Sequence, residues 1–281
     1  MNIAVKPVVL GIADKQPTAI RFALREAKLR GTTLRIVHSA VVPSQGAEFS
    51  VSQEMYDQLW RAEEAVLDDA RHFVEQEPSP SHVDYVLSAQ APVDILEQEA
   101  RAAQLLVIGV DDISWWDRVF GGAIAGYLAN HAACPVIAVP ESTFPTTAHR
   151  GVVVTLDGDT SATGPLQFAF DQASARGNHL HVLHATPPGT VASDTEASRA
   201  NIAEVLAGWK ERYPDVRLTR QFVMGEPGDQ CRRATAHAEL VVVGRPHHKS
   251  AVFAITHPVA SQVLRGAQCP VAVVPSDFST A

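Results

Sequence analysis

A stretch that the chain contains twice constrains its fold more than any other feature. The first copy runs Leu105-Leu106-Val107-Ile108-Gly109, crosses a loop through Gly121-Gly122, and closes on Cys134-Pro135-Val136-Ile137-Ala138-Val139-Pro140. The second runs Leu240-Val241-Val242-Val243-Gly244 and closes on Cys269-Pro270-Val271-Ala272-Val273-Val274-Pro275. Gly109 and Gly244 lie 135 residues apart, and so do Cys134 and Cys269. Each copy reads as a buried strand, a loop, a short helix and a second buried strand. In a parallel α/β sheet, ligands bind where such loops leave the carboxyl ends of the strands.

The duplication extends through both halves. Aligning residues 21–40 with 167–186 pairs Phe22 with Phe168, Ala27 with Ala173, Gly31 with Gly177, Leu34 with Leu180 and His38 with His184. Pro92 and Asp94 pair likewise with Pro227 and Asp229. In the first half, strands are predicted at 5–11, 33–39, 83–87, 105–108 and 134–139. Helices are predicted at 18–30, 52–76, 92–103 and after Gly122. Gly31 and Gly177 follow helices, where glycine supplies the left-handed terminator. Residues 141–150 are rich in Ser, Thr and Pro and read as a linker. The second half then repeats the order: strands at 152–156, 179–185, 217–223, 240–243 and 269–274, helices at 163–176, 193–212 and 227–237. Strands alternating with helices imply parallel sheets, covered on both faces and joined by right-handed crossovers. The prediction is two Rossmann-like α/β domains, each a five-stranded parallel sheet, over 1–141 and 151–281 with 142–150 between them.

Composition narrows the function classes. Of 281 residues, 46% are hydrophobic and 19% charged, the balance of a folded soluble protein. No apolar run approaches the roughly 18 residues that span a bilayer. The start, Met1-Asn2-Ile3-Ala4-Val5-Lys6, lacks a signal peptide's apolar core, so a cytoplasmic location is expected. A net charge of −8 argues against a nucleic-acid binder, which needs a basic face. The three cysteines, Cys134, Cys231 and Cys269, have no zinc-type spacing, and Cys134 and Cys269, which open apolar strands beside a proline, are expected to be small buried hydrophobes.

At these residues the chain resembles the universal stress protein family in its tandem form. The resemblance rests on the opening after strand one, the histidines ending strand two, the strand-four glycines and the closing Cys-Pro-Val strands, over nearly all of both halves. It implies the adenine nucleotide alpha hydrolase-like fold and a stress-response regulator. It also implies that the final strands, 136–139 and 271–274, pair to make an internal pseudo-dimer; self-association between chains is left open. Members of the family that bind ATP carry G-x2-G-x9-G-[S/T] after strand four and an Asp after strand one. In that motif, glycines admit backbone N–H groups to the phosphates and the following helix start attracts anions.

Both copies depart from the motif. In the first, Gly109 is followed by Asp112 in the second glycine's place and then by Gly121, Gly122 and Ala123, so the hydroxyl is lost. Asp111 and Asp112 would repel a triphosphate by roughly 1–4 kcal/mol per close pair unless Mg²⁺ bridged them. After strand one, Gly11 is followed by Ala13 where the Asp belongs, with Asp14 next. In the second copy Asp157 and Gly158 keep the nucleoside end, but Gly244 is followed by His247, His257 and Pro258. Binding of ATP with Mg²⁺ is therefore expected, if at all, through Gly109, Gly121 and Gly122 of the first module.

Other groups have plainer readings. His247, His248 and His257 fit a drifted solvated loop better than a metal site. Trp115 and Trp116 suit either a lid or internal packing. His179 and His181 are expected on one strand face near solvent. No base, nucleophile or metal set is recognisable, so no catalytic residue is assigned. The alternative to a nucleotide-linked regulator is an interaction protein that kept the fold and lost the ligand; an NTPase is a third reading.

Overall fold

A computed structural model describes residues 5–40, 52–78, 82–110, 123–141, 151–157, 163–245 and 259–279. It divides into two compact units, Met1–Cys134 and Pro135–Ala281.

In the first unit, strands β1 (Val8–Ile12), β2 (Leu34–Ser39), β3 (Val83–Ser88) and β4 (Leu105–Val110) lie in the order β3-β2-β1-β4, all parallel. Helices α1 (Pro17–Leu29), α2 (Gln53–Gln76), α3 (Pro92–Arg101) and α4 (Ala123–His131) alternate with them; α1 packs on α2 and α3 on α4. The central strands are continuous apolar runs because they have no solvated face. Val8, Val9 and Leu10 of β1 and Leu105, Leu106 and Val107 of β4 are fully buried. Helix starts follow local chemistry: Ser52 accepts from the Met55 N–H at 3.3 Å to cap α2, and prolines open α1 and α3. Gly31, at φ 61°, ends α1 in the left-handed conformation expected of it.

The second unit holds β5 (Val136–Pro140), β6 (Val152–Thr155), β7 (Leu180–Thr186), β8 (Leu218–Met224), β9 (Leu240–Gly244) and β10 (Val271–Val274), with α5 (Thr163–Arg176), α6 (Ala192–Arg212), α7 (Pro227–Thr235) and α8 (Val259–Leu264). Their order is β5-β10-β9-β6-β7-β8. Every pairing from β10 to β8 is parallel. β5, the closing strand of the first sequence repeat, belongs to this unit because it pairs antiparallel with β10, Val271 opposite Ala138 and Ala272 opposite Ile137. The expected meeting of the two closing strands is thus present. Phe170 is fully buried and stacks on Trp209 and Tyr213 at 5.6 and 5.2 Å. All three cysteines are free and buried, Cys134 and Cys269 as their apolar settings suggested.

Among the described residues, no helix is long and apolar enough to cross a membrane, and no His, Cys, Asp or Glu cluster could hold a metal ion.

Candidate functional site

The chain runs from β1 outward to β2 and β3, then returns to place β4 on the other side of β1. The sheet's connections therefore reverse direction between β1 and β4, and the carboxyl ends of those strands diverge there to leave a crevice. The first unit has a cleft at this point, with a volume of about 80 Å³. A buried water needs roughly 10–15 Å³ on such a measure, so the cleft is several waters large, the scale of a small heterocycle. Gly11 and Ile12 of β1, Ile108 and Gly109 of β4, and Val37 of β2 form its floor. Ile95 and Leu96 of α3 wall one side, with Ile124 of α4 beyond.

Three polar side chains reach this mostly apolar space: Gln16, His38 and Ser39. His38 is the penultimate residue of β2 and only 3% exposed. Its Nδ1 lies 2.9 Å from the Ile12 carbonyl oxygen, which only accepts, so Nδ1 carries a proton. Its Nε2 lies 2.7 Å from Glu63 Oε2 on α2. The ring thereby ties the end of β1 to α2 across β2. The Ser39 hydroxyl donates to the Gln90 carbonyl at 2.6 Å. Gln16 precedes α1 but does not cap it. Its side chain turns inward, only 2% of the residue is exposed, and Oε1 accepts the Ala13 N–H at 3.3 Å.

The two glycines of the floor are explained by their neighbours. A Cβ on Gly11 would stand 2.8 Å from Leu96 Cδ1. A Cβ on Gly109 would stand 2.5 Å from Gln16 Cδ and 2.6 Å from its Oε1. Each glycine thus admits a side chain that packs onto bare backbone. Asp14 is exposed and is not part of the lining.

The same positions in the second unit are filled differently. His184 repeats the anchor of His38, with Nδ1 donating to the Leu156 carbonyl at 2.9 Å. Its ring meets Phe222 edge-on at 5.9 Å, where the first unit has a carboxylate. Thr155 stands in the place of Gly11, and Cys231 in that of Leu96. Burial pushes the Cys231 thiol up to about 11, although its hydrogen bond with Thr155 pulls the other way. Gly244 has the Pro165 ring against it, Cγ lying 3.3 Å from where a Cβ would be. Asp157, expected at the nucleoside end, is exposed at the end of β6. His179 and His181 are neighbours with ring centroids 6.3 Å apart, and burial, then the His179 charge, lowers the His181 pKa.

The structure brings Gly11 and Gly109 of the sequence-predicted set into one cleft. Ala123 begins α4, Asp157 follows β6, and Gly244 ends β9. Gly121, Gly122 and Gly158 lie outside the described residues, as do Asp111, Asp112, Trp115, Trp116, His247, His248, His257 and Pro258. The sequence reading missed Gln16, Leu96 and Glu63. A signal for Gln16 was available: Ala13-Asp14 places the acid one residue later than its counterpart Asp157, so the side chain turned inward had to be found elsewhere.

The adenine nucleotide implied by the resemblance can be tested against this geometry. The apolar floor and walls fit a flat base. Gln16 lies on Gly109, where a motif glycine would otherwise offer open backbone.

Comparison with known proteins adds the relationship. The model of the universal stress protein family matches residues 5–140 and again 149–275. A universal stress protein of Mycobacterium tuberculosis is 31% identical over 285 residues, covering 95% of each chain. One of Mycolicibacterium smegmatis is 29% identical over 290 residues, covering 95% of this chain and 96% of that protein. A solved universal stress protein of Archaeoglobus fulgidus superposes with a TM-score of 0.68 at 16% identity over 95% of each chain, a likeness of fold. Two family matches along one chain, on two copies of one strand and helix order, make it a tandem member of the universal stress protein family.

Proposed function

We propose that the chain is a nucleotide-linked stress-response regulator whose first module takes an adenine nucleotide, the second serving as a scaffold. The observation that carries this reading is the cleft at the reversal point between β1 and β4, lined by Gly11, Gly109 and apolar side chains. The family supplies the ligand class, and the cleft supplies a place for its base. Gly109, with Gly121, Gly122 and Ala123, would hold the phosphate end, and Mg²⁺ would offset the charge of Asp111 and Asp112. The chain's own residues would bind and orient the ligand. A cytoplasmic location belongs to the same reading. The pairing of β5 with β10 supports an internal pseudo-dimer of the repeats 1–141 and 151–281.

Isothermal titration of the full chain with AMP, ATP and MgATP tests the assignment, alongside Ile108→Trp, which fills the cleft. Saturable heat that disappears in Ile108→Trp is expected; no heat at millimolar ligand removes the nucleotide. A second reading, an interaction protein without ligand, is favoured by Ala13, which leaves no carboxylate for the nucleoside. Partner capture unaffected by Ile108→Trp would support it.

A further inference from the structure

We infer that Gln16 sets the ligand affinity of the first cleft by covering the backbone at Gly109, a carboxamide that a ligand must displace to reach it. Four observations converge on it. Gln16 stands at the start of α1 yet makes no capping hydrogen bond with its side chain, which lines the cleft instead. Its residue is 2% exposed, so the side chain is enclosed. Its Oε1 is held by the Ala13 N–H at 3.3 Å. Its amide lies so close over Gly109 that a Cβ there would come within 2.7 Å of three of its atoms.

The second unit supplies the contrast. Its matching glycine, Gly244, is also covered by a side chain from the first helix of its module, but that cover is the ring of Pro165. A glutamine side chain has three rotatable bonds and swings out by changing rotamer, whereas a proline ring moves only with its backbone. The hydrogen bond from the Ala13 N–H is of ordinary strength. The glycine of the first unit is thus covered by a movable group and that of the second by a ring fixed to its backbone. When the competent conformer is a fraction of the population, apparent affinity falls by that fraction. Removing Gln16 relieves the cost.

Granted the nucleotide reading above, titration of the full chain and its Gln16→Ala variant with AMP reads this directly. The variant is expected to bind about 10-fold more tightly, the gain that corresponds to a cover open about a tenth of the time. Equal or weaker binding by Gln16→Ala, with wild-type binding intact, overturns the role of Gln16 and leaves the nucleotide reading standing. No binding by either protein overturns both. Independently of ligand, Gly109→Ala is expected to lower the melting temperature of the wild type and to leave that of Gln16→Ala unchanged. Equal losses in both backgrounds would show that Gln16 does not cover Gly109.

Discussion

The two modules share a blueprint and differ at the positions that make a pocket. Both carry near the end of strand two a histidine that donates to a carbonyl where strand one ends, His38 to Ile12 and His184 to Leu156. Around that shared anchor, the first module pairs glycine with leucine at Gly11 and Leu96, and the second pairs two mid-sized residues, Thr155 and Cys231. Glycine leaves a hollow that Leu96 enters from α3, so the floor of the cleft is bare backbone and a branched side chain. Thr155 and Cys231 meet there through a hydrogen bond. An inherited fold can therefore keep its hydrogen-bonded frame while redistributing volume between facing positions.

The largest contrast lies in the core rather than the cleft. Phe170, clustered with Trp209 and Tyr213, has Leu24 as its counterpart in the first module. Phe170→Ala is expected to cost about 3–5 kcal/mol in denaturant unfolding, and Leu24→Ala about 2–3 kcal/mol. Equal losses would deny the aromatic cluster a special part in the second module.

Transplanting the second module's pair sharpens the volume argument. Gly11→Thr alone drives its side chain into Leu96 and is expected to cost about 1–3 kcal/mol. Adding Leu96→Cys should recover most of this, because the two residues touch and their effects do not add. A double variant no better than the single one would break the correspondence between the pairs.

A smaller effect is expected at the histidine anchor. Glu63→Leu leaves the buried His38 Nε2 without its carboxylate and should cost about 1–2 kcal/mol. Glu63→Gln, which can donate to the ring, should restore most of it. The second module predicts that the anchor tolerates an apolar neighbour, as His184 does with Phe222, so no loss in Glu63→Leu would make the two anchors equivalent.

The smallest effect is alkaline. Burial, then the hydrogen bond to Asp171, pushes the Tyr213 hydroxyl from 10.0 up to about 12. The unfolded chain releases this proton near pH 10, before the folded chain does, so the contribution is complete below pH 10 and lost between about pH 10 and 12. Stability of Tyr213→Phe followed through that window should fall less steeply than that of wild type.

Much of the fold was legible because it rests on local pattern repeated twice. The apolar runs at 105–108 and 240–243 became β4 and β9, and the glycines after the first helices took the left-handed conformation, at φ 61° for Gly31 and 60° for Gly177. Boundaries moved by a residue or two where side-chain pattern and backbone pairing part company, as at β5, which begins at Val136 rather than Cys134. The site was harder. Gly109 and Gly11 were identified as glycines of a binding motif, but the side chains lying on them come from residues far along the chain or from a helix start, which no spacing rule links to them.

The sequence by itself determined the duplication, the α/β class and the family, because each is encoded in periodicity and punctuation along the chain. Only the tertiary structure decided that Leu96 and Gln16 lie on the cleft's glycines, that Pro165 lies on the corresponding glycine of the second module, and that Glu63 meets His38. Those are contacts across tens of residues between groups whose identities do not specify one another, and close packing alone assigns each its partner.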